Sequence, residues 1–460
     1  MVEQKPNRQS TEGKKRTVLD RTLFIAFIAG LLVCAFIAGT AVMQFKVPPY
    51  GLMRDAWRAA DSWQELIQIR SESWSPFVWA PDRGRGAGLL RHESDKVLDG
   101  YTMYASAHGC AVILLDIEGR EVHRWDIPFS KTWPKAPHIE RQVADRDIFV
   151  RQAHIYPNGD LLACFVTTLD TPWGYGLARF DRNGKTLWRY DDHFHHDFTF
   201  GDEGTIYALT HEVRMDGHPD IPALGSPLVD DFVVVLSSDG KLKQKLSIFD
   251  AIINSPFRDS LKALCLQQKK GWDFFHNNAV HPIGEAFASH HENIEAGQLM
   301  VCLRNLNMLA VVDLETEAVT WAMLGPWHRP HDPDPLDNGR ILLFDNQVYH
   351  GTAEGSRVIE FDPANSQIHW EYRGDDDNPF DSKFAGREQL LSNGNLLIVD
   401  SWAGRLLEVT RGRQIVWEYM NPARGGDSDE LVAVITTAVR YSAEQLPFLQ
   451  DQQNSDEEQR

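Results

Sequence analysis

The residues of this chain whose types and spacing best suit chemistry fall in three short stretches. They are His193-Phe194-His195-His196-Asp197, then Phe275-His276-Asn277-Asn278-Ala279-Val280-His281, then Trp327-His328-Arg329-Pro330-His331-Asp332. Between the last two, Arg304-Asn305-Leu306-Asn307 ends the apolar run Leu299-Met300-Val301-Cys302-Leu303. Two chemistries suit such a set. A metal centre wants three or four His, Cys, Asp or Glu ligands, for which His196, His276 and His331 are candidates; no compact motif such as His-Glu-x-x-His supports it. Group transfer through a histidine nucleophile needs an unprotonated imidazole, a second histidine to move protons, and a cation for the transferred oxyanion. Arg304 suits that last role, because a guanidinium fork matches tetrahedral oxyanions bidentately. A single histidine is as readily a satisfied loop residue. Recurrence at one phase of a repeat is what points to a shared centre.

The repeat is a hairpin. One half runs from an Asn-Gly turn into an apolar strand, as in Asn158-Gly159-Asp160-Leu161-Leu162, Asn338-Gly339-Arg340-Ile341-Leu342 and Asn393-Gly394-Asn395-Leu396-Leu397. The other half is a turn and a strand ending in an aromatic: Asp116 to Gly119 before Trp125, Asp181 to Gly184 before Trp188, and further copies before Trp321, Trp370 and Trp417. Asn-Gly is the signature of a type I′ hairpin turn. A lone hairpin cannot bury both faces, so about six copies stacked radially predict an all-β β-propeller of six blades. The tryptophans are expected to pack between blades. Each histidine stretch lies beside an inner-type strand, which in a propeller surrounds the central channel.

The 460-residue chain carries a formal charge of −19, which argues against nucleic acid as a partner. From Thr22 to Phe45 no residue is charged, while Lys14, Lys15, Arg16 and Arg21 precede that run. An apolar stretch of this length can span a bilayer, and the positive flank places the N-terminus in the cytoplasm and the remainder outside. A cleaved signal peptide is the competing reading, although such apolar cores are usually about 7–15 residues. The expected organisation is a basic cytoplasmic segment over 1–21, a transmembrane anchor over 22–45, a connector over 46–95 with a short amphipathic helix from Leu52 to Ile69, a propeller over 96–445, and a disordered polar tail over 446–460. Cys110, Cys164, Cys265 and Cys302 allow three disulfide pairings or none.

In order along the chain, His195-His196-Asp197, Gly204-Thr205-Ile206-Tyr207, His276-Asn277-Asn278-Ala279-Val280, Arg304-Asn305-Leu306-Asn307 and Gly325-Pro326-Trp327-His328-Arg329-Pro330-His331-Asp332-Pro333 resemble the bacterial arylsulfotransferase family. Leu343-Phe344-Asp345-Asn346 and Ser356-Arg357-Val358 continue the likeness, which covers roughly Asp99 to Pro422. The resemblance implies a six-bladed propeller that moves a sulfuryl group from an aryl sulfate to a phenol, with no nucleotide donor and no cofactor. It also implies an axial centre at His196, His276, Arg304 and His331, with His331 where the transiently sulfated histidine is expected. His276 would then move protons, while Arg304 and His196 stabilise the sulfuryl oxygens. Asp332 or a nearby carbonyl would fix the His331 tautomer, and Arg387 and His350 would stand at the channel mouth. The family's usual Asp-Asn-Gly is Asp345-Asn346-Gln347 here. Rival readings are a non-catalytic propeller binding an envelope partner or glycan, and a quinoprotein oxidoreductase, which would carry acidic metal ligands that are not found.

Overall fold

The Asn-Gly hairpins form, but with a different turn from the one expected. In the computed structural model, which describes residues 9–45, 48, 75, 77–140, 142–170, 172–267, 273–347 and 355–450, Gly159, Gly339 and Gly394 take φ of 85°, 79° and 84° while the preceding asparagines are not left-handed. Each glycine N–H returns to the carbonyl three residues back, on Tyr156, Leu336 and Leu391. That is a type I turn closed by a left-handed glycine, rather than type I′. The asparagine side chain explains the difference. Its oxygen accepts from the N–H two residues on, at 3.1, 3.0 and 3.0 Å, and so steadies the ordinary turn.

The chain divides into two compact units, Met1–Ser75 and Pro76–Arg460. In the first, one helix spans Gln9–Phe45. Within it Leu23–Val42, with a mean hydropathy of 2.5, is long and apolar enough to cross a membrane. The amphipathic helix expected from Leu52 to Ile69 lies outside the described residues.

The second unit is a β-propeller. Among the described residues there are six antiparallel sheets, five of four strands and one of five, together with one small three-stranded sheet. Their innermost strands are Ile148–Ile155, Phe194–Phe200, Asn277–Pro282, Pro330–Pro335, Arg387–Leu390 and Ile435–Tyr441. Each touches the next, and the last touches the first, so they form a closed ring. Closure is made by the chain ends: the C-terminal strand Ile435–Tyr441 pairs with Tyr101–Ser106 in one sheet. The second strand of most sheets, such as Leu161–Thr167 or Leu299–Leu303, is buried on both faces, which is why it reads as an unbroken apolar run.

Contacts between sheets repeat a single device: a side chain on the fourth strand, counted from the innermost, donates to a turn carbonyl of the next sheet. His123 reaches Arg182 O at 2.8 Å, Gln244 reaches Leu314 O at 2.8 Å, Trp370 reaches Arg411 O at 2.9 Å and Trp417 reaches Ile117 O at 2.9 Å. The tryptophans are not equivalent. Trp417 is fully buried, because Gly88–His92 adds a fifth strand outside Ile415–Met420, whereas Trp370 is half-buried. Trp417→Ala is therefore expected to cost about 3–5 kcal/mol, and Trp370→Ala distinctly less, read as shifts of the urea midpoint. Equal losses at the two positions would contradict this packing.

Two expected boundaries move. Trp79–Pro81 and Gly88–His92, assigned to the connector, are strands of the propeller unit. Leu446, Phe448 and Leu449, assigned to the tail, are buried against Trp125 and its neighbours. The five cysteines are thiols, with Cys164, Cys265 and Cys302 buried.

Candidate active site

Bulges in the inner strands create the site. Register shifts interrupt pairing between Val150 and Gln152, Phe194 and Phe198, Asn277 and Val280, His331 and Asp334, and Ile435 and Thr437. A bulge frees residues from the pleat and re-aims their side chains. Arg151, His196 and Thr436 sit in such bulges and line one cavity of about 320 Å³. His276 and His331 flank two others. His196 and His276 take left-handed φ of 53° and 51°, a conformation that costs non-glycine residues energy and collects at functional sites.

All four residues singled out in the sequence, His196, His276, Arg304 and His331, line this cavity. The His196 and His276 rings meet edge to face at 4.7 Å, and Trp173 stacks on His276 at 5.6 Å. Phe77, Phe149, Val166, Phe384 and Val434 line the same cavity. Apolar side chains together with two arginines suit a flat aromatic bearing a compact anion.

The tautomers follow from the partners. His331 Nδ1 lies 3.1 Å from Arg329 O; a carbonyl only accepts, so Nδ1 carries the hydrogen and neutral His331 keeps its lone pair on Nε2. Burial, with Arg304 and Arg151 adding to it, pushes His331 well below its ordinary pKa, so the neutral form prevails. Burial likewise pushes His196 well down, with His276 and His195 contributing. Asp332 is not the orienting group: it binds Arg387 at 2.8 Å instead. His276 Nδ1 meets Asp273 Oδ2 at 2.5 Å. Burial works against charge on Asp273, yet His276 and Arg304 hold its carboxyl below the usual range. Burial lowers His276, and Asp273 offsets only part of that. Burial also draws the Arg304 and Arg151 guanidinium groups down to about 10, which leaves both charged at neutral pH. Arg304 Nε has no hydrogen-bond partner among the described residues.

The motifs around these residues are scaffolding. Asn305 Nδ2 donates to Asp273 O at 2.8 Å. Asn307, left-handed at φ 54°, accepts from Arg329 N at 2.8 Å and so holds the loop leading to His331. Asp345 takes His328 N at 2.9 Å and Arg357 Nε at 2.8 Å. Gln347, where the family has glycine, is left-handed at φ 52°. Glycine adopts that conformation without strain; here the Gln347 side chain is tied to Asp345 at 2.7 Å.

Arg387 is not at the channel mouth. It joins Asp197 at 2.9 Å and Asp332 at 2.8 Å in a buried axial network. His281 contacts Asp332 and Asp334 at 3.3 and 3.1 Å, Gln152 reaches Asp197 at 3.0 Å, and Thr437 reaches Gln152 at 2.6 Å. Each of these six inner strands contributes at least one of these residues, so the network locks the ring that carries the site. Burial disfavours charge on His281, but hydrogen bonds to Asp332 and Asp334 push it up to about 10. His350 lies outside the described residues.

Sequence reasoning missed Arg151, Asp273 and Trp173. Arg151 had a signal, a lone cation directly after the apolar Ile148-Phe149-Val150. Asp273, three residues before His276, had another. Trp173, beside a turn, had none.

The structure is thus a propeller whose inner strands and neighbouring loops bring histidines and arginines to one cavity that aromatic side chains also line. The model of the arylsulfotransferase (ASST) family matches residues 152–422, more than half of the 460, and the chain belongs to that family. Membership supports an enzyme of the sulfotransferase type. No curated protein matches the chain. Among solved structures it is similar to a protein of unknown function from Bacteroides caccae (11% identity, 74% of this chain and 98% of that one, TM-score 0.47). It is also similar to virginiamycin B lyase from Staphylococcus aureus (12%, 78% and 97%, TM-score 0.38). A third is the WD40 β-propeller domain of Doa1 (11%, 78% and 96%, TM-score 0.37). These likenesses say nothing about chemistry.

Proposed function

We propose that this protein transfers a sulfuryl group from an aryl sulfate ester to a phenolic acceptor by a ping-pong route through His331. The observation that carries this reading is the His331 ring. Its Nδ1–H is committed to Arg329 O, and its remaining nitrogen is unprotonated in a cavity that also holds Arg304, Arg151 and the Asp273–His276 pair. His331 Nε2 attacks sulfur, the S–O bond to the ring breaks, and the departing phenolate takes the Nε2 proton of His276, which reacts in its imidazolium form paired with the Asp273 carboxylate. An incoming phenol then returns its proton to His276 Nε2 and attacks the sulfated His331. Arg304, Arg151 and His196 meet the sulfuryl oxygens while charge shifts from one oxygen to the other. At about 320 Å³ the cavity is at the small end for a ligand site, which favours donor and acceptor using it in turn. The ester itself is the activated donor, so no cofactor is required.

The test is a nitrophenyl sulfate assay. Phenolate release should accelerate when a second phenol is added, because the acceptor clears the sulfated enzyme. Release that ignores every phenol, or no release at all, would favour a binding role.

The basic residues before Leu23–Val42 favour an inner-membrane protein with a cytoplasmic N-terminus and the propeller in the periplasm. A reporter that is active only in the periplasm, fused after Arg460, is expected to be active. An inactive fusion with intact expression would reverse the topology.

A further inference from the structure

Directly behind the cavity lies a second polar cluster that the transfer reaction does not use. His195, His211 and Asp231 each offer one ligand atom, and those atoms lie within 4.8 Å of one another. All three side chains are buried, with exposures of 0%, 0% and 1%. A simple ion pair does not account for them. His195 Nε2 and Asp231 Oδ1 are 3.4 Å apart, and neither atom makes a hydrogen bond among the described residues. His211 has no hydrogen bond on either ring nitrogen, although it is sealed between Trp173 at 4.1 Å and His195 at 4.4 Å. Buried polar atoms normally find partners, and several orphans converging on one point call for a group that would satisfy them together.

We propose that His195, His211 and Asp231 bind a single divalent transition-metal ion of the zinc class. Two imidazoles and a carboxylate are a borderline-soft donor set that suits such an ion, with bonds of about 2.0–2.2 Å. The surroundings have the features of a metal site. The other Asp231 oxygen, Oδ2, is held by Asn277 N at 2.9 Å, which orients the carboxylate. The other His195 nitrogen, Nδ1, lies 2.7 Å from His196 Nδ1. With metal on Nε2, His195 donates its Nδ1–H to His196. That leaves the His196 hydrogen on Nε2. His196 thereby becomes a fixed donor toward the cavity, so the metal sets the tautomer of a group facing the substrate. The site stands on its own donors and does not depend on sulfuryl transfer. By contrast, Asp197, His281 and Asp332, which are equally close together, already have Arg387 as their cation.

The experiment uses the untagged full-length chain in detergent, stripped with a chelator, exposed to zinc or cobalt chloride and desalted. Wild type is expected to retain about one equivalent of metal per chain, and the cobalt form to show the visible bands of a low-coordinate site. Zinc should raise the melting temperature of the stripped protein. His211→Ala and the near-isosteric Asp231→Asn should each weaken retention by more than about 100-fold, beyond the loss typical of outer-shell changes. Should either variant fail to fold, the stripped and zinc-loaded wild type still decide the matter. Wild type that retains no metal and melts unchanged overturns the proposal, as does equal retention in both variants. Because metal is measured without any sulfate ester, failure of the transfer reading leaves this result untouched.

Discussion

His331→Ala is expected to abolish both halves of the transfer, leaving phenolate release at the uncatalysed background with or without acceptor. On the proposed route the other groups hold other roles: His276, held at Nδ1 by Asp273 at 2.5 Å, moves the proton, His196, held at Nδ1 by His195 at 2.7 Å, faces the sulfuryl oxygens, and the two arginines are cations at neutral pH. In wild type, mass spectrometry after mixing with donor alone should find one sulfuryl adduct on the peptide containing His331. The pH dependence gives an independent reading. A free imidazole is half protonated near pH 6.5. His331 is pushed well below that by burial and by Arg304, so it stays neutral as pH falls through 6.5, and the first half-reaction should not lose rate there. His328 is the control, three residues away and not part of the cavity wall. If His328→Ala is inactive while His331→Ala keeps its activity, the nucleophile has been misplaced by one motif position.

The fold was legible where one physical requirement dominated the residue choice. Doubly buried strands such as Leu161–Thr167 must be apolar throughout, and positive-φ turn positions such as Gly159 and Gly394 favour glycine, so hairpins and repeat could be read directly. The turn type could not, because it depends on a bond from the Asn158 side chain to the Asp160 backbone. The edges of the propeller were hidden for a similar reason. Gly88–His92 reads as part of the connector until it is seen to pair beside Trp417. In the site, the four residues that project from loops and bulges stood out as polar residues in repeating positions. What sequence could not supply was the sorting among polar residues once they converge. Asp332 directly follows His331 in the same motif, yet it pairs with Arg387 and closes an axial network. Asp273, which the sequence reading did not single out, holds His276. Those assignments depend on which strands are neighbours across the ring.

His276→Ala is expected to slow transfer by about 10²–10⁴-fold, the usual worth of a positioned acid–base group. The loss should depend on the leaving group. Nitrophenolate departs with little help from a proton, whereas the phenolate of an unsubstituted phenyl sulfate needs one. His276→Ala should therefore penalise phenyl sulfate far more than nitrophenyl sulfate, with the gap measured as the ratio of kcat/KM values. A merely structural role would lower both alike. Asp273→Asn tests the partner. The carboxylate both fixes Nδ1–H on His276 and stabilises the imidazolium that forms when the phenol gives up its proton, while Asn305 anchors the Asp273 backbone carbonyl and so should keep the loop in place. An amide can hold the ring but cannot supply the charge. Asp273→Asn should show the same leaving-group bias as His276→Ala, and the double variant should be little worse than His276→Ala alone, because residues acting as one unit are not additive. Losses that simply multiply in the double variant, or an Asp273→Asn enzyme indistinguishable from wild type, would separate the two residues and return Asp273 to a structural role.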